Sequence, residues 1–446
     1  MFWVNIRPKE HLNKIILLEQ EHKKDKAMDF FAVSAIFCLF IAIAMMYYWP
    51  ELIIGIQLFS TPIIGNALLN LGLKLGANFM IFSLVIASFI IILSRNKQAR
   101  LLPSSFIEIM VIIFISWVLI TLTYTPSLSY GTTKLLFLVI VCFPCVYMAK
   151  LLCDTPAKLH KTFTVVGWYA IFLLIYYVAY VIANDTGETI RIRSSFFGPL
   201  PLGYAVASMV PFIFYVATTT HFRFLRIVFI AAIPIAILLI IETGSRGPLL
   251  AIIAAFVFSL LRIQYLVRVT IGFTVCTAAA YFYLSNQDLT ENQGLGRILG
   301  ETDAADKSSQ GRIELFSSAW EQFLQFPLFG QGSGSFSYFF NFTDERIYAH
   351  NSYLEIAGEF GLVGLVMFFT ILALCLVQIL KLRDKSEDML ETQSWSITCI
   401  QMLFIIGFIN STVSFSLSGQ RILFVSIGLI AATTFWHITQ TRHSKN

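Results

Sequence analysis

His350 lies in the stretch RIYAHNSYLEIAGEFGLVGLVMFF, which begins at Arg346 and sets a histidine, Asn351 and two glutamates directly ahead of a run apolar enough to enter a membrane. A neutral imidazole accepts a proton, so a histidine held neutral at a surface can act as a general base. A solitary histidine at a helix start is more often structural than catalytic, and it is the company here that argues for chemistry. Ser352 and Glu355 form an S-x-x-E capping box, which predicts a helix N-terminus just after the ring. The free N–H groups and partial positive charge of that terminus favour the unprotonated ring and attract anions.

Arginines supply the second chemistry. Arg191 and Arg193 sit in TIRIRSSFFGP, Arg246 in ETGSRGPLL, and Arg312 at the start of a stretch with helical apolar spacing. Guanidinium is permanently charged and forks onto phosphate oxygens, so such a set suits a phosphate or diphosphate. Interfacial arginines that hold lipid headgroups fit the same charge pattern, and both readings stand at this point. The GQGSGS run offers backbone N–H groups, but without a preceding strand it reads as a flexible connection rather than a phosphate nest.

These residues need a membrane to position them. Of the 446 residues 57% are hydrophobic and 13% charged, with a mean hydropathy of +0.75, so the chain cannot present an ordinary charged surface to water. About twelve segments are long enough to span as helices. They lie near 29–49, 77–94, 106–123, 133–149, 163–183, 200–218, 225–242, 247–262, 266–284, 361–381, 395–414 and 421–437. Glu51 to Gly76 is apolar but broken by Pro62, Gly65 and Gly72, and reads as a re-entrant stretch or short hairpin.

Basic residues recur at every second connection: Lys23, Lys24 and Lys26; Arg95, Lys97 and Arg100; Lys150, Lys158 and Lys161; Arg223 and Arg226; Arg262 and Arg268; Lys381, Arg383 and Lys385; Arg442 and Lys445. The positive-inside rule makes that side cytoplasmic, so the net charge of +5 reports topology and implies no nucleic-acid partner. No cleavable signal peptide is expected, the first helix being its own insertion signal. The seven cysteines lie in or beside predicted helices, and neither disulfides nor a metal site is expected.

On the opposite, periplasmic side one connection is much longer than the rest, from about Ser285 to Phe360. Long connections of this composition are usually functional. Within it Ile313, Phe316, Trp320, Phe323 and Leu324 recur at helical spacing, which predicts an amphipathic helix on the membrane surface. The predicted organisation is a cytoplasmic arm (1–28), helices one to nine (29–284), the periplasmic catalytic loop (285–360), helices ten to twelve (361–437) and a cytoplasmic tail (438–446).

His350, Asn351, nine residues, Gly361, two residues and Gly364 resemble the H-[NSQ]-x9-G-x-x-G signature of the O-antigen ligase family. GSRGPLLA around Arg246, GRIELFSSAWEQFLQFPLFGQGSGSF around Arg312 and RIRSSFFGPLPLGYAVA from Arg191 follow in the family's order. The resemblance implies an all-α, GT-C-like integral membrane enzyme of the bacterial inner membrane, with about twelve transmembrane helices and an active site facing the periplasm. It would move a glycan from undecaprenyl diphosphate to an acceptor hydroxyl without metal or other cofactor. By that resemblance Arg246 and Arg312 hold the diphosphate, Arg191 or Arg193 adds a contact, and His350 activates the acceptor, with Asn351, Glu355, Gly361 and Gly364 in support.

The resemblance implies a glycan or lipid A-core as acceptor. A ligase joining O-antigen to lipid A-core is preferred over a polymerase, because the topology fits and the long loop is single. A protein O-oligosaccharyltransferase shares the donor chemistry. A transporter of lipid-linked sugars is the rival from another class; such proteins carry ionisable residues near the membrane midplane, and Glu108 and Glu242 both fall near predicted helix ends.

Overall fold

A computed structural model describes residues 44–60, 76–95, 102–184, 199–260, 303–385 and 389–443, and every regular element among them is helical. In chain order these are α1 (Leu52–Gly55, continued by a π-helical turn at Ile56–Ser60), α2 (Gly76–Arg95), α3 (Phe106–Thr121) and α4 (Leu128–Leu152, with a π-helical turn at Leu138–Cys142). Then come α5 (Pro156–Asn184), α6 (Pro199–Thr219), α7 (Arg223–Glu242) and α8 (Arg246–Leu260). After them come α9 (Asp303–Gln325), α10 (Ser335–Asn341), α11 (Ser352–Lys385), α12 (Glu391–Val413) and α13 (Arg421–His443). Helices satisfy their own backbone groups, which is why apolar stretches of this length take that form where no water can serve them.

Among the described residues, α4, α5, α6, α7, α11 and α12 are long and apolar enough to cross a membrane. Shorter apolar helices cover Leu84–Ser94, Phe106–Thr121, Arg246–Ser259 and Arg421–Thr434. All of these coincide with expected spans; the expected spans near 29–49 and 266–284 fall wholly or mostly outside the described residues. At the centre lies α6, whose apolar window is 83% buried, against 33% for its neighbour α7. Close approach stands in for a hydrophobic drive between such helices, and at Gly428 of α13 a side chain would run into the Val146 carbonyl of α4.

Two ends of the bundle differ in chemistry. At one, Lys150 pairs with Glu108 at 2.6 Å, Lys158 with Asp154 at 2.8 Å and Lys161 with Glu51 at 2.7 Å. Arg226 donates to the Thr220 carbonyl near by, at 2.9 Å, and the start of α12 meets the start of α5 around a cavity of about 340 Å³ that includes His160 and Thr392. The opposite end gathers the turns before α4 and α8, the segment from α9 to α11, and the 414–420 turn.

Glu51 corrects one expectation. A re-entrant stretch would enter from the far side, yet Glu51 sits at the lysine-rich end. The chain then runs inward along α5, where Ser60 Oγ meets the Tyr169 hydroxyl at 2.5 Å and Tyr177 donates to the Phe59 carbonyl at 2.6 Å. Residues 51–60 are all buried, so this part is a core element; the rest of the expected re-entrant stretch, 61–75, lies outside the described residues. The N-terminal arm lies outside the described residues.

Candidate active site

From residue 303 on, the long connection is folded onto the bundle. Within it, α9 turns Leu315, Ala319 and Gln322 inward against Phe336, Ala349 and Leu354, and Gly358 of α11 leaves just enough room for the Gln322 amide. The expected stripe faces outward instead, with Ile313 66%, Trp320 50% and Leu324 59% exposed. An apolar face left outside while small and polar residues pack inside fits an apolar surrounding.

Gly361 shapes the backbone around the site. Its φ of 68° and ψ of −168° break α11 into two helices, and that backbone region is essentially confined to glycine, costing other residues about 1–3 kcal/mol. A Cβ there would also overlap the Leu328 carbonyl. The break strands backbone groups that the 327–334 segment satisfies. Leu362 N donates to Pro327 O at 2.8 Å and Val363 N to Leu328 O at 3.2 Å, while Gln331 N reaches Gly358 O at 3.1 Å and Gly332 N reaches Glu359 O at 2.9 Å. Trp117 of α3 donates its indole N–H to the Phe360 carbonyl at 3.1 Å. The signature glycines are therefore structural: Gly361 makes the break, and at Gly364 a side chain would strike Phe360.

The GQGSGS run is accordingly neither a flexible connection nor a phosphate nest. Gly332 to Ser337 are buried, Gly334 N donates to Glu359 Oε2 at 2.9 Å, and Thr125 donates to the Ser333 carbonyl at 2.8 Å. It is a strap over the break, its glycines adopting positive φ at 330, 332 and 334.

The capping box also differs from expectation. Asn351, not Ser352, caps α11: its Oδ1 accepts from Tyr353 N at 3.0 Å and Leu354 N at 3.1 Å. Ser352 is turned to the 414–420 turn, donating to Phe415 O at 3.4 Å and receiving Gln420 Nε2 at 2.9 Å. Glu355 is fully buried and pairs with Lys134 of α4; its other oxygen accepts from Leu417 N at 3.2 Å. A glutamate that finds a buried ammonium and a second backbone donor gains more there than by reaching back to a cap.

His350 stands one residue before that cap in the left-handed conformation, with φ 54°, which costs a non-glycine residue about 1–2 kcal/mol. The ring packs at a 48° tilt against Tyr348, 4.4 Å between centroids, and its Nδ1 is buried without a hydrogen-bond partner among the described residues. Burial holds its pKa below the ordinary value of 6.5, and the positive charge of Arg312 lowers it further. A strained backbone, a ring nitrogen without a partner and a depressed pKa leave this imidazole chemically able to accept a proton.

Arg312 lies within electrostatic range of His350, Tyr348 and Tyr204. It is half-exposed on α9. Arg246 opens α8 with its side chain at the surface, and the next residue, Gly247, is packed against the Tyr204 hydroxyl and Val413. Tyr204 in turn stacks edge-on to Phe415, at 5.8 Å. Tyr204 and the 413–415 turn thus bring Arg246, Arg312 and His350 to one end of the bundle. Arg191 and Arg193 lie outside the described residues.

Sequence reasoning missed Lys134, Glu359 and Tyr204, although Glu359 and Tyr204 lie inside the stretches that carry His350 and Arg191. A lysine inside the span predicted at 133–149 was the available signal, since ionisable residues in such segments are costly and usually functional.

Comparison with known proteins agrees with this geometry. Residues 230–369, which contain Arg246, Arg312 and His350, match the family described as O-antigen ligase. Over 225 residues the chain is 26% identical to the teichuronic acid biosynthesis protein TuaE of Bacillus subtilis (strain 168). That alignment covers 47% of this chain and 45% of TuaE, so the chain spans about half of that relative's length. The chain is a multi-pass membrane protein whose described elements are all helical, and its residues 230–369 match the O-antigen ligase family model.

Proposed function

We propose that this protein is a glycosyltransferase that moves a glycan from undecaprenyl diphosphate to an acceptor hydroxyl, acting as an O-antigen ligase with lipid A-core as acceptor. The observation that carries the reading is a strained His350 within electrostatic range of Arg312, at the same end of the bundle as Arg246, whose neighbour Gly247 packs on Tyr204. The donor is already activated as a diphosphate ester. Catalysis then needs the leaving charge stabilised and the acceptor oxygen held in line with the anomeric carbon.

In this reading the bond from the anomeric carbon to the diphosphate oxygen breaks as the bond to the acceptor oxygen forms. The acceptor proton passes to His350, and the negative charge gathering on undecaprenyl diphosphate is met by Arg246 and Arg312. Arg191 or Arg193 adds a further phosphate contact, and membrane lipids surround the outward stripe of α9. The relative's link to teichuronic acid biosynthesis favours a second reading with the same donor chemistry, polymerisation of a repeat unit.

Reconstituted protein given an undecaprenyl-diphosphate glycan should release undecaprenyl diphosphate only when a hydroxyl acceptor is present. Transfer to lipid A-core supports the ligase, growth of the donor glycan supports the polymerase, and no release with either acceptor removes both. The same reading puts the site end in the periplasm. Asn341, exposed on that end, should react as Asn341→Cys with an impermeant maleimide while the inner membrane is intact. Reaction only after that membrane is opened refutes the orientation.

A further inference from the structure

Lys134, in the second turn of α4, is 3% exposed, and its ammonium sits between the fully buried carboxylates of Glu355 and Glu359, the latter at 2.5 Å. The Phe360 ring lies 5.8 Å from the ammonium. Both carboxylates also accept backbone donors: Glu355 from Leu417 N at 3.2 Å and Glu359 from Gly334 N at 2.9 Å. One lysine therefore joins four segments, namely α4, the start of α11, the strap and the 414–420 turn.

His350 hangs between those segments. Downstream, Ser352 is held by Phe415 and Gln420. Upstream, Asp344 caps the start of α4, accepting from Ser127 Oγ at 2.5 Å, Ser129 N at 2.8 Å and Tyr130 N at 2.9 Å. The upstream flank of the strained turn is thus anchored to the start of α4 and the downstream flank to the 414–420 turn. Three buried charges are a costly way to glue helices, since apolar side chains of similar size hold as well or better. What charges add is direction: both Glu355 oxygens and Glu359 Oε2 have defined donors, and Glu359 Oε1 alone of the four is left without one among the described residues.

We propose that the Lys134–Glu355–Glu359 cluster is a positioning device, one that sets His350 against the Arg246 and Arg312 end of the site without itself touching substrate. The inference rests on the glycosyl-transfer reading for its kinetic consequence, but not for its structural one.

Two variants test it: Lys134→Met/Glu355→Gln/Glu359→Gln, which removes every charge at nearly constant size, and Glu359→Gln, which keeps the Lys134–Glu355 pair and an acceptor for Gly334. In reconstituted protein the triple variant should bind donor as the wild type does and lose kcat on the order of 10²-fold, the cost of a displaced catalytic group. Modification of His350 by diethyl pyrocarbonate, followed by peptide mass spectrometry, should be faster in that variant, with Glu359→Gln between it and wild type. Unchanged kcat and unchanged His350 reactivity overturn the proposal, as does donor affinity falling in step with kcat. If the triple variant does not fold, Glu359→Gln decides by the same two readouts. If wild-type protein transfers no glycan, the functional reading fails, while His350 reactivity still decides the positioning role: faster modification upholds it and an unchanged rate overturns it.

Discussion

On the proposed glycosyl-transfer reading, His350→Ala should lower transfer by about 10² to 10⁴, the usual worth of general-base assistance, and should leave donor binding, assigned to Arg246 and Arg312, in place. The check is turnover of reconstituted enzyme beside a direct donor-binding assay. Donor binding lost together with transfer would make the histidine a phosphate ligand or a structural residue. The pH profile carries the sign of the site's electrostatics. Burial and then the Arg312 charge depress the His350 pKa below 6.5, so the base form survives to lower pH than in an ordinary histidine. The acid limb of kcat/KM, which reports the free enzyme, should therefore lie below 6.5. Bound diphosphate offsets the Arg312 charge, so the limb of kcat should lie higher than that of kcat/KM. In Arg312→Gln the kcat/KM limb should move up toward the ordinary value, because one of its two causes is gone. A limb unmoved by Arg312→Gln would separate the two groups.

The arginines carry the second large effect. Arg246→Lys and Arg312→Lys keep a positive charge but replace a planar fork of donors with a single ammonium, so the diphosphate loses its paired hydrogen bonds. Each variant should lose transfer on the order of 10²-fold, the scale of removing one preorganised donor to a developing anion. Protein levels should stay near wild type, since Arg246 is exposed and Arg312 half-exposed. Initial rates in proteoliposomes, with protein quantified in the same membranes, measure this. Wild-type transfer by both lysine variants would rule out the bidentate role.

Hydropathy is a local quantity, and the helices track it closely: α3 to α8 and α11 to α13 all fall on runs whose apolar length announces a span. The arginine and histidine motifs were legible for a similar reason, since each sits in a short stretch of distinctive types. Local reading failed wherever a distant segment supplied a partner. Ser352 and Glu355 satisfy a capping pattern in isolation, but Asn351 took the cap, because Gln420 claimed Ser352 and Lys134, 221 residues away in sequence, claimed Glu355. The glycines after Gly330 read as slack until the break at Gly361 created backbone groups for them to satisfy.

The same division holds for the site. Residue types alone indicated a lipid-embedded protein with external arginines and a base, because transfer to hydrocarbon and affinity for phosphate are properties of side chains themselves. Which of those groups meet was decided by the tertiary structure. Arg312 comes within electrostatic range of His350 and Tyr204, Gly247 beside Arg246 packs on Tyr204, and Lys134 pairs with Glu355 and Glu359 just beyond the histidine. The apolar face of α9 turned outward only because Ala319 and Gln322 fit beneath it against Gly358. Such choices rest on steric fit and on pairing of buried charges between segments far apart in the chain, and no periodicity or motif within a single segment encodes them.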